Sequence, residues 1–259
     1  MINCVEKRKT ALLGKLYKTN NSGECVLIDY RGAKHVTVTF FNPECSVTCE
    51  LSNLLKGKVQ NPLLPTFYNR GYIGVGKYSK KNKAAYTTWT SMLKRAYSFE
   101  FHTRYPTYKD VTVCSEWLNF QNFAEWFYNQ EFSEAKDEKG NKYHLDKDIL
   151  DKGDKVYSPQ NCCFIPQELN GLFRDKYLST GNLPKGVHFV IKKGRFRASL
   201  SVYGKTKHLG YFETQEEAFQ AYKKAKESYV KEVVEDWKEL VSSEVYQAIT
   251  NTQNAKGSE

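Results

Sequence analysis

Alternating apolar and polar positions mark residues 24–51 and 183–212, and helical spacing marks the stretch between them. Cys25–Tyr30, Val36–Phe41 and Ser46–Leu51 have strand character, with turns at Asn21-Ser22-Gly23 and Arg31-Gly32. Asn61-Pro62 and Pro65 break the pattern and end a β-rich segment, residues 1–67, for which a small barrel-like module is expected. Next, Trp89, Met92, Leu93 and Ala96 recur at helical spacing, as do Trp117, Phe120, Phe123, Ala124 and Phe127, so two helices with an aromatic core are expected. Gly71-Tyr72-Ile73-Gly74-Val75-Gly76 lacks the Lys-Ser/Thr and the strand–helix–strand setting of a phosphate loop and reads as a turn. Leu183–Ile191, Arg195–Val202 and Thr206–Phe212 alternate as three further strands, with turns at Lys192-Lys193-Gly194 and Tyr203-Gly204-Lys205. Thr214 is expected to cap a long helix whose Ala218, Phe219, Ala221, Tyr222, Ala225 and Tyr229 form one apolar face. After Trp237 the chain reads as helical at first, then polar and frayed over Asn251–Glu259.

The fold class is therefore α+β: an N-terminal β module (1–67), a central domain (68–177), a three-stranded antiparallel sheet packed on a helix (178–237) and a tail (238–259). A formal net charge of +10 favours a polyanion as partner, either nucleic acid or an anionic membrane surface. No apolar run is long enough to span a bilayer and residues 1–20 carry no apolar leader, so a soluble, cytoplasmic protein is expected. The seven cysteines include no C-x-x-C pair and are expected to be buried free thiols, not zinc ligands or disulfides.

Charge sharpens the reading of the last sheet. No acidic residue stands between Asp175 and Glu213, whereas Lys185, Lys192, Lys193, Arg195, Arg197, Lys205 and Lys207 are all basic. On the middle strand Arg195, Arg197, Ser199 and Ser201 alternate with Phe196, Ala198, Leu200 and Val202, so one face packs on the helix and the other is basic. A narrow β-ribbon of this kind fits the major groove of double-stranded DNA, where arginine pairs with guanine and the other cations neutralise phosphates.

The central domain carries the candidate chemistry. Tyr143–Leu150 reads as a strand with His144, Asp146 and Asp148 on one face and Lys147 on the other. A turn at Lys152-Gly153-Asp154, a second strand over Asn161–Ile165 and a helix from about Pro166 follow. A carboxylate on the first strand and an amide on the helix can hold one divalent cation, and such hard oxygen donors suit Mg2+ or Mn2+.

Two resemblances rest on these residues. Across Tyr86–Asn170 the helix pair, Leu145-Asp146-Lys147 and Tyr157-Ser158-Pro159-Gln160-Asn161-Cys162 resemble the phage-type HNH endonucleases, in the subgroup that reads Leu-Asp-Lys/Arg in place of Asp-His. The resemblance implies a ββα-metal domain with Asp146 as metal ligand, Asn161 bracing the loop and Asn170 completing the metal site. Active members of that family place a histidine base directly after the metal aspartate, where this chain has Lys147. A lysine is an ammonium ion at neutral pH and accepts no proton. His144, two residues away on the same strand face, is a substitute base, and a metal-bound hydroxide needs none. Across Lys185–Tyr229, Lys-Gly-Val, Gly-Arg-Phe-Arg-Ala, His-Leu-Gly-Tyr-Phe and Thr-Gln-Glu-Glu-Ala resemble the APETALA/ethylene-response-factor DNA-binding domain, which also occurs in phage nucleases and integrases. By position that resemblance makes His188, Val190, Lys193, Arg195, Ser199, Ser201 and His208 the DNA-facing residues, with Arg197 as an outward candidate the plant pattern lacks. Together the two imply a sequence-guided, metal-dependent DNA endonuclease or nickase of phage homing type. A DNA-binding protein without catalysis, acting as a regulator or as an inhibitor of a host nucleic-acid enzyme, is the alternative, and an RNA binder a weaker third.

Overall fold

The alternation in residues 24–49 becomes a sheet because every second side chain finds the same apolar layer. In the computed structural model, which describes residues 4–151, 153–173, 183–202, 205–233 and 235–256, the chain is α+β and divides into two compact units, Met1–Glu125 and Trp126–Glu259. The first unit opens with helix α1 (Cys4–Leu12) and strands β1 (Leu16–Lys18), β2 (Glu24–Tyr30), β3 (Val36–Phe41) and β4 (Glu44–Cys49), followed by helix α2 (Leu51–Leu55). The strands form an antiparallel sheet in sequence order, with β1 and β4 at its two edges, so the module is an open sheet and not the expected barrel. Cys25, Leu27, Val36, Val38 and Phe40 all point to one side, where Leu54 of α2 and Val59 close the core. The last strand starts and ends two residues earlier than expected, because Leu51 already begins α2.

Helices α3 (Lys83–Tyr97) and α4 (Phe99–Arg104), the short strand β5 (Thr112–Val113) and the first turns of α5 (Phe120–Asn129) complete this unit. The buried face of α3 carries Ala85, Trp89, Met92, Leu93 and Ala96, at the spacing read from the sequence. Trp89 donates its indole N–H to the Trp117 carbonyl at 2.7 Å and packs edge-on against Phe67. The second helical pattern is broken at Asn119. That residue is extended, and its side-chain oxygen takes the Gln121 N–H at 3.0 Å, so a 3-10 turn over Glu116–Leu118 stands apart from α5. The glycine-rich turn serves packing: a Cβ on Gly71 would lie 2.4 Å from Leu93 and 2.9 Å from Trp89.

In the second unit β6 (His144–Asp146), β7 (Val156–Tyr157) and β8 (Cys163–Ile165) lead into helix α6 (Gln167–Phe173). β6 and β8 pair antiparallel, with Asp146 opposite Cys163 and His144 opposite Ile165. Trp126 and Phe127, from the last turn of α5, pack on Phe164. Strands β9 (Val187–Val190), β10 (Arg195–Val202) and β11 (Lys205–Phe212) form an antiparallel sheet with β10 in the middle, covered on one face by α7 (Gln215–Val233). Thr214 and Glu217 exchange side-chain-to-backbone hydrogen bonds at 3.2 and 3.1 Å, a capping box that starts α7.

The tail departs from expectation. Helix α8 (Ser243–Lys256) runs through most of the stretch that reads as frayed. Trp237, Val241, Val245 and Ile249 are buried with Ile149, Cys163, Ile165 and Leu169, so the C-terminal residues complete the core of the strand–strand–helix motif. Among the described residues no helix is long and apolar enough to cross a membrane. The described cysteines beyond Cys4 are free thiols, four of them buried.

Candidate functional site

Asp146 ends β6 with its own side chain. Its Oδ1 accepts the backbone N–H groups of Asp148 (2.9 Å) and Ile149 (3.1 Å), which turns the chain out of the strand. The strand therefore stops four residues short of Leu150, and Asp148 does not share a strand face with His144 and Asp146 as alternation alone implies. The Lys147 side chain is buried and its Nζ donates to the Asp148 carboxylate and to the Asp154 carbonyl (3.2 Å). Held between Asp148 and Asp154, it has the geometry of a strut under the loop. Asn161, half-buried, donates to Asp154 Oδ2 at 2.6 Å and to the Val156 carbonyl at 3.3 Å, while Asp154 Oδ1 accepts the Val156 N–H at 2.8 Å. Asp154 thus ties Lys147, Asn161 and β7 together. The sequence reading treated it as a turn residue only, because its role depends on three partners that are spread over fifteen positions.

Burial pushes the Asp146 carboxyl above the ordinary carboxylate range; its two backbone donors pull it back, and Asp148 adds to the rise. Burial likewise pushes the Cys163 thiol up, with Asp146 contributing. Among the described residues Asp146 Oδ2 takes no hydrogen bond. Asn170, buried on α6, and the half-buried His144 on β6 are the other polar side chains that the sequence singles out in this motif. No group of three His, Cys, Asp or Glu gathers among the described residues, a donor set unsuited to zinc. A buried carboxylate with one oxygen free of hydrogen bonds is a hard donor of the kind Mg2+ or Mn2+ take, since those ions keep most of their shell as water and phosphate oxygen. The resemblance implies Asp146 and Asn170 as the residues that would hold such an ion, which when bound would supply Lewis-acid polarisation of a phosphate and a more acidic water.

The sheet β9–β10–β11 sorts its residues by register. Arg195 pairs with Val190, Arg197 with His188 and Tyr211, Ser199 with His208, and Ser201 with Thr206. Phe196 and Ala198 take the opposite face, toward α7. His188, Arg195, Ser201 and His208 are exposed on the outer face. Lys192 and Lys193 lie exposed in the 3-10 turn Ile191–Lys193, and Lys193 Nζ sits 3.8 Å from the centre of the Tyr211 ring. Tyr211 also packs on His208 with ring centres 4.8 Å apart. Nothing in the sequence marks Tyr211 beyond its alternation, and the structure adds it to the face.

Three sequence expectations need correction here. Ser199 is buried at 8% exposure, and its amide is tied to the Gly186 carbonyl at 2.8 Å. A bulge between Ala198 and Ser199 resets the alternation of β11, so Lys205 and Lys207 stand beside Val202 and Leu200 on the face opposite Arg195 and Arg197. The cations are consequently spread over two faces instead of one. Finally, Arg195 is not a bare charge: it pairs with Glu213 at 2.6 Å, both side chains being more than half exposed. An ion pair that open to solvent is worth about 0–1 kcal/mol and exchanges readily for another anion. Arg197 is half-buried between its cross-strand neighbours, and its Nε is buried without a hydrogen-bond partner.

Comparison with protein-family models, with curated proteins and with solved structures gives no match to this chain.

Proposed function

We propose that this protein is a DNA endonuclease or nickase that uses the outer face of β9–β11 to read duplex DNA and the β6–β8–α6 motif to bind a divalent cation beside the scissile phosphate. The observation that carries the proposal is the division of the sheet: one face packs Phe196 and Ala198 on α7, with Lys205 and Lys207 at its exposed end, while the other carries Arg195, Arg197, His188 and His208 and has no covering element among the described residues. An unpartnered Arg197 Nε on that face supports it, since leaving such a donor unmet costs about 1–3 kcal/mol unless a ligand supplies an acceptor. In this reading Arg197 contacts a base or phosphate, Arg195 exchanges Glu213 for DNA, and Lys192 and Lys193 neutralise phosphates at one end of the sheet. Asp146 and Asn170 hold the cation, Asn161 with Asp154 fixes the loop, and His144 is the base candidate.

Arg197→Ala is expected to weaken binding to a specific duplex by about 1–3 kcal/mol, and Arg195→Ala by less, because that residue must first leave Glu213. Titration of a labelled duplex by fluorescence anisotropy measures both, and unchanged affinity in the two variants removes the sheet from the proposal.

A second reading, DNA binding without catalysis, draws on one specific feature: Lys147, next to Asp146 where active family members place a histidine base, is committed as a donor to Asp148 and Asp154. Nicking of supercoiled DNA with Mg2+ or Mn2+ separates the two. Wild-type nicking that falls to background in Asp146→Ala supports the enzyme; equal silence with retained DNA binding supports the second reading.

A further inference from the structure

We infer that the first unit carries its own duplex-DNA surface, a phosphate-tracking stripe on the solvent face of α3, separate from the sheet β9–β11. Between Glu50 and Asp110 there is one acidic residue, Glu100, against eleven lysines and arginines. That segment alone has a net charge of +10, equal to the net charge of the whole chain, so the other residues cancel. The excess is therefore local, and five of the eleven, Lys80, Lys81, Lys83, Lys94 and Arg95, lie on α3 or in the turn just before it.

The face of α3 opposite Trp89, Met92 and Leu93 presents Lys83, Thr87, Ser91 and Lys94, all exposed. Just before the helix, the turn Ser79–Asn82 is held by the Asn82 side chain on the Ser79 N–H (2.9 Å) and by the Asn82 N–H on the Ser79 carbonyl (2.9 Å), which displays Lys80 and Lys81. None of Lys80, Lys81, Lys83 and Lys94 has an ion-pair partner among the described residues, whereas Lys77 is neutralised by Glu125 at 2.9 Å. Local folding gives no reason for them, since three lysines at the start of a helix oppose its dipole. Lys83 and Lys94 are eleven residues apart, about 16 Å along the axis. Duplex DNA carries about ten phosphate charges over that length. Hydroxyls between two cations, on a face without carboxylates, suit phosphate oxygens and read no base, so the contact is independent of sequence.

The test uses the full chain with Lys80→Gln, Lys81→Gln, Lys83→Gln and Lys94→Gln combined. These exposed changes should leave thermal melting unaltered. Binding to a 30-base-pair duplex of arbitrary sequence is measured between 50 and 200 mM salt. The plot of log affinity against log salt should become shallower by up to about 3.6, that is about 0.9 for each phosphate contact removed, with affinity at the lower salt reduced at least tenfold. An unchanged slope and affinity overturns the inference. So does a greater loss on a single strand than on the duplex, or a loss confined to phosphatidylcholine–phosphatidylserine vesicles. Arg195→Ala with Arg197→Ala, run in parallel, keeps this result distinct from the sheet proposal: those changes should lower preference among duplex sequences and leave the α3 contribution to the slope in place.

Discussion

Val245→Asp is expected to unfold the second unit's strand–strand–helix core, with a loss of about 5 kcal/mol or more. Val245 is fully buried on α8 among Ile149, Ile165, Leu169 and Trp237. Removing the valine forfeits about 1.5–3 kcal/mol of burial. The introduced carboxylate then has no cation facing it in that cluster, and desolvating an unpaired charge costs several kcal/mol more. Since whole domains are stable by about 5–15 kcal/mol, the change consumes much of what is available. Denaturant unfolding followed by tryptophan fluorescence reads the loss, with the exposed Gln247→Ala expected within about 0.5 kcal/mol of wild type. A silent Val245→Asp would mean that α8 does not seal the core.

The second large effect is expected from Gly186→Val, at about 2–5 kcal/mol. Gly186 has φ +81, a left-handed conformation that costs a β-branched residue about 1–2 kcal/mol. A Cβ there would stand 2.1 Å from the Tyr222 ring, which is buried on α7. The ring cannot retreat without opening the contact between α7 and the sheet, so overpacking adds about 1–3 kcal/mol. The Gly186 carbonyl also holds the Ser199 amide at 2.8 Å, and any shift of residue 186 is passed to the middle strand. Loss of DNA binding should accompany the loss of stability, because the same strand carries Arg195 and Arg197. Hydrogen exchange of β10 amides reports this directly; protection equal to wild type would show that the close approach is not a constraint.

These two positions illustrate how unevenly the fold was legible. Gly186 is visible in the sequence as part of Lys-Gly-Val, yet the reason for a glycine there is a ring thirty-six residues later. Val245 lies in a stretch whose polar composition outweighs its five apolar positions, so its burial is hidden until α8 is docked. Among candidate site residues, the outward placement of Arg195 and Arg197 follows from alternation with Phe196 and Ala198. The burial of Ser199 and the transfer of Lys205 and Lys207 to the other face do not, because a single bulge between His208 and Gly210 shifts the register of the β11 residues before it. Lys147 reads as lying on the face opposite Asp146 of an unbroken strand and becomes a buried strut once Asp146 turns the chain.

Local pattern alone determined the α+β class, the strands over 25–30, 36–41 and 195–202, the buried face of α3, the cap at Thr214 and the basic character of the last sheet. Each of these depends on neighbours within a few residues, where periodicity and hydrogen-bond chemistry act directly. Only the tertiary structure decided that Lys205 and Lys207 leave the face of Arg195 and Arg197, where the strand of Asp146 stops, what Asp154 binds and that the C-terminal helix belongs to the core. Those outcomes depend on contacts between residues far apart in sequence, and no local periodicity encodes them.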